Sequence, residues 1–505
     1  MRLSIVIRCL DLAAHLVQRG DRNRFRGSSM RNTEQIWQIV DGKRDAYIAL
    51  ADRVWNMPEL AYGEHRSAAE HLAMLQQEGF RITQNVAGIP TALMAEAGEG
   101  GPVIAILGEY DALPGLSQQA GLAEPVPVDG DGGVGHGCGH NLLGSASMLA
   151  ASAVKEWLAA AGIKGRVRYY GCPAEEGGAA KGFMVRAGVF ADVDIAISWH
   201  PASLSGVNEA VSLANTRIDF TFTGRAAHAA ASPDLGRSAL DAVELMNVGV
   251  NYMREHMADD ERVHYAYLDA GGIAPNVVQA RAKVRYLIRA ANLTQLTALV
   301  ARVRKIADGA ALMTETSVTT QVVSAVSNLM ANTPLERAMH DNFERLGPPE
   351  FDSQDRAYAA RIRATLSPAD IAAPFHRAGV PVQPDLPMAD FIIPFGSQGR
   401  GGNGSTDVGD VSWVVPTVQA RGATCALGTP FHTWQLTAQG KSPAAHKGLV
   451  HVAKVMAGTA IDALQTPELI AHAKADLAER TRTNPYRSPL PPDVEPPIEA
   501  MSRGV

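Results

Sequence analysis

Three short apolar runs, VIAIL at 103–107, VRYYGC at 167–172 and IAISW at 195–199, dominate the first half of this sequence. Each has the length of a strand buried on both faces and is too short to be a helix of its own. Small-residue segments that read as helices lie between them, at 141–161 and 178–187, and two further helix-like runs precede them, at 33–55 and 67–78. Strand and helix in alternation define an α/β catalytic layer, with a mostly parallel sheet flanked by helices.

Near Ser212 the pattern changes. RIDFTFT (217–223) alternates apolar and polar residues, a helical stretch follows at 237–256, and strands are expected at 263–269, 282–288 and 318–323, with a helix at 293–313. The order βαββαβ is that of a ferredoxin-like unit. The first pattern resumes afterwards with PTVQARGATCAL (416–427) and a helix at 443–464. The expected organisation is therefore an N-terminal extension (1–33), a first catalytic segment (34–211), an inserted unit (212–325), a second catalytic segment (326–483) and a Pro-rich tail (484–505). The first residues read as a non-essential extension, with an early start codon and Met30 as the real one; a targeting peptide is the alternative reading. Pattern alone assigns no fold to 347–402, and the tail has the composition of a disordered segment.

Composition narrows the function. With 46 Lys+Arg against 52 Asp+Glu, the chain carries a net charge of −6, the wrong sign for a protein that neutralises nucleic-acid phosphates. No apolar run is long enough to cross a bilayer. Cys9, Cys138, Cys172 and Cys425 are scattered without the spacing of a disulfide framework, which points to a reducing, cytoplasmic setting.

The chemistry concentrates in loops that follow strands, where open α/β sheets collect ligands. These are GEYDALP (108–114), GHGCGHN (135–141), PAEEGG (173–178) with HP at 200–201, and GTPFH (428–432). Thiolate, imidazole and carboxylate are the donors that borderline divalent metals take, and paired glutamates can divide the roles of ligand and base. Singly, each residue has a plainer reading: Cys138 as a small buried hydrophobe, His136 as a structural histidine, Asp111 and Asp407 as turn residues, Asn141 as a helix cap, Cys172 and Cys425 as core.

Taken together, GEYDALPG, GHGCGHN, PAEEGG, SWHP, GRAAHAAASPDLGRSALDAV and GGIAPNVV resemble the dinuclear metallo-aminoacylase and carboxypeptidase superfamily, in its amidohydrolase branch. The GSTDVGDVSW and CALGTPFHTWQ segments are similar to those of aminobenzoyl-glutamate hydrolases within it. The resemblance spans about residues 34–480 and implies an inserted lid and dimerisation unit. It further implies two divalent ions, Mn or Zn, held by Cys138, His140, Glu176, His200 and His432, with Cys138 bridging them. Glu175 would be the general base, and His228, reaching the site of a partner subunit, would stabilise the oxyanion. Asn276 and Arg289 would hold the substrate carboxylate or polarise its carbonyl, although Arg289 alone also reads as a sheet residue. Asp111 would orient a ligand histidine. Asn141 stands where many relatives have Asp, so it would act behind the ligands without contributing charge.

The expected activity is metal-dependent hydrolysis of the amide of an N-acyl or N-aroyl amino acid, with p-aminobenzoyl-glutamate as first choice. The alternatives are a general N-acyl-amino-acid or small-peptide hydrolase, and a subunit inactive without a paralogous partner chain. A homodimer is expected, or a hetero-oligomer with that paralogue, with no nucleic-acid or membrane partner.

Overall fold

The computed structural model describes residues 33–128, 133–207, 210–397, 399 and 404–502. The N-terminal extension, with Cys9 and Met30, lies outside the described residues. Strands run in chain order as β1 (Arg81–Gln84), β2 (Leu93–Glu99), β3 (Val103–Glu109), β4 (Gly165–Cys172), β5 (Ile195–Ala202), β6 (Gly206–Val207), β7 (Ala214–Thr223), β8 (Arg262–Asp269), β9 (Arg281–Ala290), β10 (Ser317–Val326) and β11 (Thr417–Ala423). They form a seven-stranded sheet, β1-β2-β4-β3-β5-β11-β6, and a four-stranded sheet, β10-β7-β9-β8.

The four central strands of the larger sheet, β4, β3, β5 and β11, are parallel, whereas β1, β2 and β6 add antiparallel edges. Every residue of β3 is buried, which is why its sequence is a continuous apolar run and not an alternation. The helix His140–Ala161 is buried over most of its circumference. Alanine and serine at its contact positions let it lie close to the sheet, and the helix Pro443–Gln465 covers its other side. The main core thereby draws on residues from Ile36 to Ala473.

The smaller sheet is antiparallel throughout, and its chain order is strand, helix, strand, strand, helix, strand. Its helices are Ala239–Met253, capped by Ser238 onto Asp241 N–H at 3.0 Å, and Leu293–Met313, capped by Asn292 onto Gln295 N–H at 3.0 Å. Ile218, Phe220, Phe222, Val284, Tyr286 and Ile288 pack against these helices. Strand periodicity puts Arg217, Asp219, Arg285 and Arg289 on the opposite face.

One stretch left without a fold is now defined, and one expectation from composition is revised. The stretch 347–402 contains two ordered helices, Ser353–Arg363 and Pro368–Ala378, each opened by a capping box: Asp352 with Asp355, and Ser367 with Asp370. The Pro-rich tail is packed rather than disordered over its described residues. Leu490 is buried, Arg186 donates to Pro491 O at 2.9 Å, and Tyr486 OH donates to Asp410 Oδ1 at 2.9 Å. Proline removes backbone donors and lowers the entropy lost on ordering, so such a segment can dock through a few side chains without forming regular structure.

Asp410 is the hub of that docking. It also accepts from Ser327 N–H at 3.1 Å and Ser327 Oγ–H at 2.7 Å, where the chain leaves β10. Burial pushes its carboxyl up from 3.8 to about 6 despite these donors. Between those two values the native state holds a proton that the unfolded chain has lost, so this contribution to stability is full below 3.8 and fades as pH rises through about 6. Thermal unfolding of the wild type should therefore show a loss of stability across that window relative to Asp410→Asn, whose amide does not titrate. A wild-type-to-variant difference that stays constant with pH would contradict the assignment.

Candidate active site

Asp111, just beyond the end of β3, organises the site. Its Oδ1 lies 2.8 Å from His140 Nδ1, and its Oδ2 accepts the Glu176 N–H at 2.8 Å. One buried carboxylate therefore sets the imidazole at the start of the long helix and the backbone of the loop after β4. His140 follows Gly139, whose φ of +79° turns the chain into the helix at little steric cost. The loop after β4 is held at a second point by Glu64, which accepts from Ala174 N–H at 2.8 Å and Tyr62 N–H at 2.9 Å. Ala174 has φ +56° and His432 has φ +58°, conformations that cost a non-glycine residue energy and collect at functional sites. The His432 N–H donates to Gly137 O at 2.8 Å, which ties the last motif to the GHGCGHN loop.

The donor atoms converge. Cys138, His140 and His200 form one group, and Cys138, Glu176 and His432 another, with ligand atoms within 4.8 Å of each other in each group. The two groups share the Cys138 thiol. His200 Nε2 lies 3.4 Å from Cys138 Sγ, while its Nδ1 is 2.9 Å from Pro201 O. His432 Nε2 lies 3.2 Å from Glu176 Oε1. His140 Nε2 and Glu176 Oε1 are buried, and their polar neighbours, Glu109 Oε2 at 3.4 Å and His432 Nε2 at 3.2 Å, lie within ion-pair distance but without hydrogen-bond geometry; atoms left unsatisfied in this way call for a further occupant. A soft thiol, three imidazoles and a carboxylate, two of them with unsatisfied atoms turned inward, fit divalent cations. Burial drives the His200 ring well below its ordinary value and the Cys138 thiol well above it. A bound cation would reverse the second effect.

Glu175 stands beside these donors. Its carboxyl is raised well above the ordinary value, first by burial and then by Glu109, Glu176 and Asp407. Glu109, Glu175 and His140 form a third close group, also within 4.8 Å. Glu109 was not singled out by sequence reasoning, although it lies two residues before Asp111 and hence on the same side of an extended chain. Lys181 was missed as well. Its fully buried ammonium is 2.6 Å from both Glu109 Oε1 and Asp407 Oδ1, and its N–H donates to Asp407 Oδ2 at 3.0 Å. The available signal was one charged residue in the run GGAAKGFMV. Arg421 is in register with His200 across β5 and β11, and burial pulls its guanidinium down to about 10.

Other expected residues fall elsewhere. Asn141 is not a helix cap. It is the second residue of the helix, and its Nδ2 donates to Gly440 O at 3.1 Å, away from the imidazoles. The cap residue lies outside helical backbone geometry, and Gly139, left-handed, holds that position one residue before His140. His136 is buried, with Nε2 3.1 Å from Val54 O and its ring pulled down to about 4 by burial. Cys172 and Cys425 are core. His228 and Asn276 neighbour one another where the backbone bridges at His228 and Val277. Both are exposed, and among the described residues neither forms a hydrogen bond or ion pair with the thiol–imidazole cluster. Arg289 lies half-buried on β9, facing Asn215 on one side and Arg262 on the other.

Soft and hard donors thus converge beside strand ends, with a further carboxylate next to them, in a candidate site for divalent metal ions. The chain belongs to peptidase family M20/M25/M40, whose model matches residues 105–367. It is 47% identical over 478 residues to the B subunit of p-aminobenzoyl-glutamate hydrolase of Escherichia coli K12, a match that covers 92% of this chain and 99% of that protein. It is 30% identical over 453 residues to the mouse Xaa-Arg dipeptidase, covering 87% of this chain and 90% of the other. A dinuclear metal-binding peptidase of Bacillus subtilis has the same fold, with a TM-score of 0.54 at 18% identity, covering 83% of this chain and 98% of that one.

Removing the Lys181 ammonium would leave two buried carboxylates without their cation. Lys181→Met is expected to cost about 3–5 kcal/mol, the usual penalty for breaking a buried pair from one side. Chemical denaturation would measure it, and a loss below about 1 kcal/mol would mean that the pair contributes no more than an exposed one.

Proposed function

We infer that the protein hydrolyses the amide bond of p-aminobenzoyl-glutamate, giving p-aminobenzoate and glutamate. The observation that carries this reading is the pair of donor trios sharing Cys138, with Glu175 beside them. The name of the relative that matches nearly end to end supplies the substrate. In this reading Cys138, His140, His200, Glu176 and His432 would hold two divalent ions, Mn or Zn, with the Cys138 thiol common to both donor trios. When bound, such ions supply a water of lowered pKa and polarise the amide carbonyl. Glu175, raised by burial and its acidic neighbours, takes a proton from the attacking water and returns it to the leaving amine. Asp111 keeps His140 in the tautomer that presents Nε2 to the site.

Assembly completes the site. His228 is exposed and, among the described residues, forms no hydrogen bond or ion pair with the cluster of its own chain, which supports its delivery to a partner subunit to hold the oxyanion. Asn276 and Arg289 take the substrate carboxylate. The surface available for pairing is the smaller sheet's edge strand β8, exposed at all residues but Val263. Tyr265 and Tyr267 on it and Leu245, Val248 and Tyr252 on the adjoining helix present apolar surface. An unpaired edge beside exposed aromatics is a template for a second chain. The unit spanning 212–325 thus acts as lid and dimerisation element. The partner is a second copy or a paralogous chain; the latter agrees with the relative in Escherichia coli being named as one of two lettered subunits. Similarity to a dipeptidase keeps small-peptide hydrolysis as the second reading.

Two measurements test the assignment. Glu175→Gln should keep the metal content seen by elemental analysis yet lower turnover by about 10²–10⁴-fold, the usual share of a general acid–base group; unimpaired turnover removes Glu175 from that role. The metal-loaded chain, assayed alone for release of glutamate and p-aminobenzoate, should be active. Activity appearing only when the paralogous chain is added supports the two-chain form, whereas cleavage of dipeptides but not of the aroyl conjugate supports the second reading.

A further inference from the structure

The smaller sheet delivers a cation to the metal loop that neither the family motifs nor the proposed roles use. Arg217, on β7, lays its guanidinium against Gly177, the residue after Glu176. A Cβ at position 177 would lie 2.8 Å from both Nη1 and Nη2, and the φ of +99° there is also one that side chains rarely adopt. The backbone conformation is what requires glycine at 177, and the Arg217 guanidinium lies in the space that a side chain there would take. The one polar contact of the guanidinium is a long one, 3.5 Å from Nη1 to Gly177 O, among the described residues.

Charge on this face is unbalanced. Arg217, Lys283, Arg285 and Arg289 share it with a single carboxylate on these two strands, Asp219. Asp219 is already engaged by Lys283 at 2.6 Å and Arg285 at 2.7 Å. At the outer end, the tail brings Asp493 and Glu495 to the cavity that Lys283, Arg285 and Arg304 line. At the inner end, over the loop that carries Glu175 and Glu176, no carboxylate lies within ion-pair distance of Arg217 among the described residues. Burial and the neighbouring Arg285 and Arg289 depress its basicity, the effect expected of a cation placed where an anion belongs.

We propose that Arg217 is a specificity-determining residue that receives the side-chain carboxylate of an acidic amino acid in the leaving half of the substrate. The inference rests on the proposed hydrolysis of an aroyl-amino acid and deepens it. Asn276 and Arg289 take the α-carboxylate, and Arg217 reads whether a second carboxylate follows. A planar guanidinium can grip that group through two parallel N–H bonds, a geometry that an amide cannot reproduce.

The test compares p-aminobenzoyl-glutamate with p-aminobenzoyl-glutamine on the metal-replete full chain, in wild type, Arg217→Met and Arg217→Lys. The wild type should favour the glutamate conjugate through KM. Arg217→Met should raise KM for that conjugate by about tenfold or more, with a smaller change in kcat and a smaller effect on the glutamine conjugate, so that the preference collapses. Arg217→Lys should restore part of it. Calorimetric titration with free glutamate and glutamine, independent of turnover, should show the wild type binding glutamate more tightly and Arg217→Met failing to discriminate. A folded Arg217→Met that keeps the wild-type preference in both measurements overturns the proposal. If that variant does not fold, an unchanged preference in Arg217→Lys overturns it, and a weakened preference supports it. A wild-type chain that hydrolyses neither conjugate contradicts the proposed function instead, and the titrations still decide the role of Arg217.

Discussion

The site depends on the two oxygens of Asp111. One sits on the His140 imidazole and the other on the Glu176 amide, so a single carboxylate spaces a helix start and a strand-end loop that are far apart in sequence. Two further site residues follow from that spacing. The Cys138 thiol is carried two residues before His140, and Glu175 one residue before Glu176. Because Asp111 is itself buried, any error in its position would have to be taken up by close-packed surroundings. A buried ion that is satisfied on both sides is rigid for the same reason that it is costly.

Below Asp111 lies a second layer built on the same principle. Lys181 joins Glu109 to Asp407, which belong to segments almost three hundred residues apart, and Asp410, one helical turn beyond Asp407, receives the chain leaving β10 and the tyrosine of the tail. The catalytic layer is assembled from two separated stretches of sequence, and buried charge is what aligns them. Apolar packing sets the distance between layers, but it has no direction. Hydrogen-bonded carboxylates fix the register.

Much of this was legible in the amino-acid sequence, for reasons that can be named. β3 is buried at every residue and β4 and β5 at most of theirs, and burial on both faces leaves a mainly apolar run. β7 and β9 are covered on one face, and alternation records it. Metal-type donors were visible because they crowd into glycine-rich loops after strands. The helices at 353–363 and 368–378 were hidden because proline and glycine around them masked their capping boxes, Asp352 with Asp355 and Ser367 with Asp370. β1, β2 and β6 are short or polar edges with little periodicity. Lys181, Glu109 and Glu64 escaped notice because their importance lies in partners distant in sequence, and no local pattern encodes a pairing of that kind. Asn141 misled because its type suits a cap, while Gly139 already held the position. The tail misled because composition reports on how much apolar surface a segment owns, not on whether a neighbour offers a groove for a few anchors.

The helix Pro443–Gln465 closes the core that helix 33–55 begins. During synthesis, the first catalytic segment therefore leaves the ribosome with the outer side of His140–Ala161 bare, and it stays so until roughly three hundred further residues have been translated. The smaller sheet, continuous in sequence, has no such wait. The nascent chain would acquire its middle first, and its beginning would have to be sheltered by chaperones from aggregation until its end arrives.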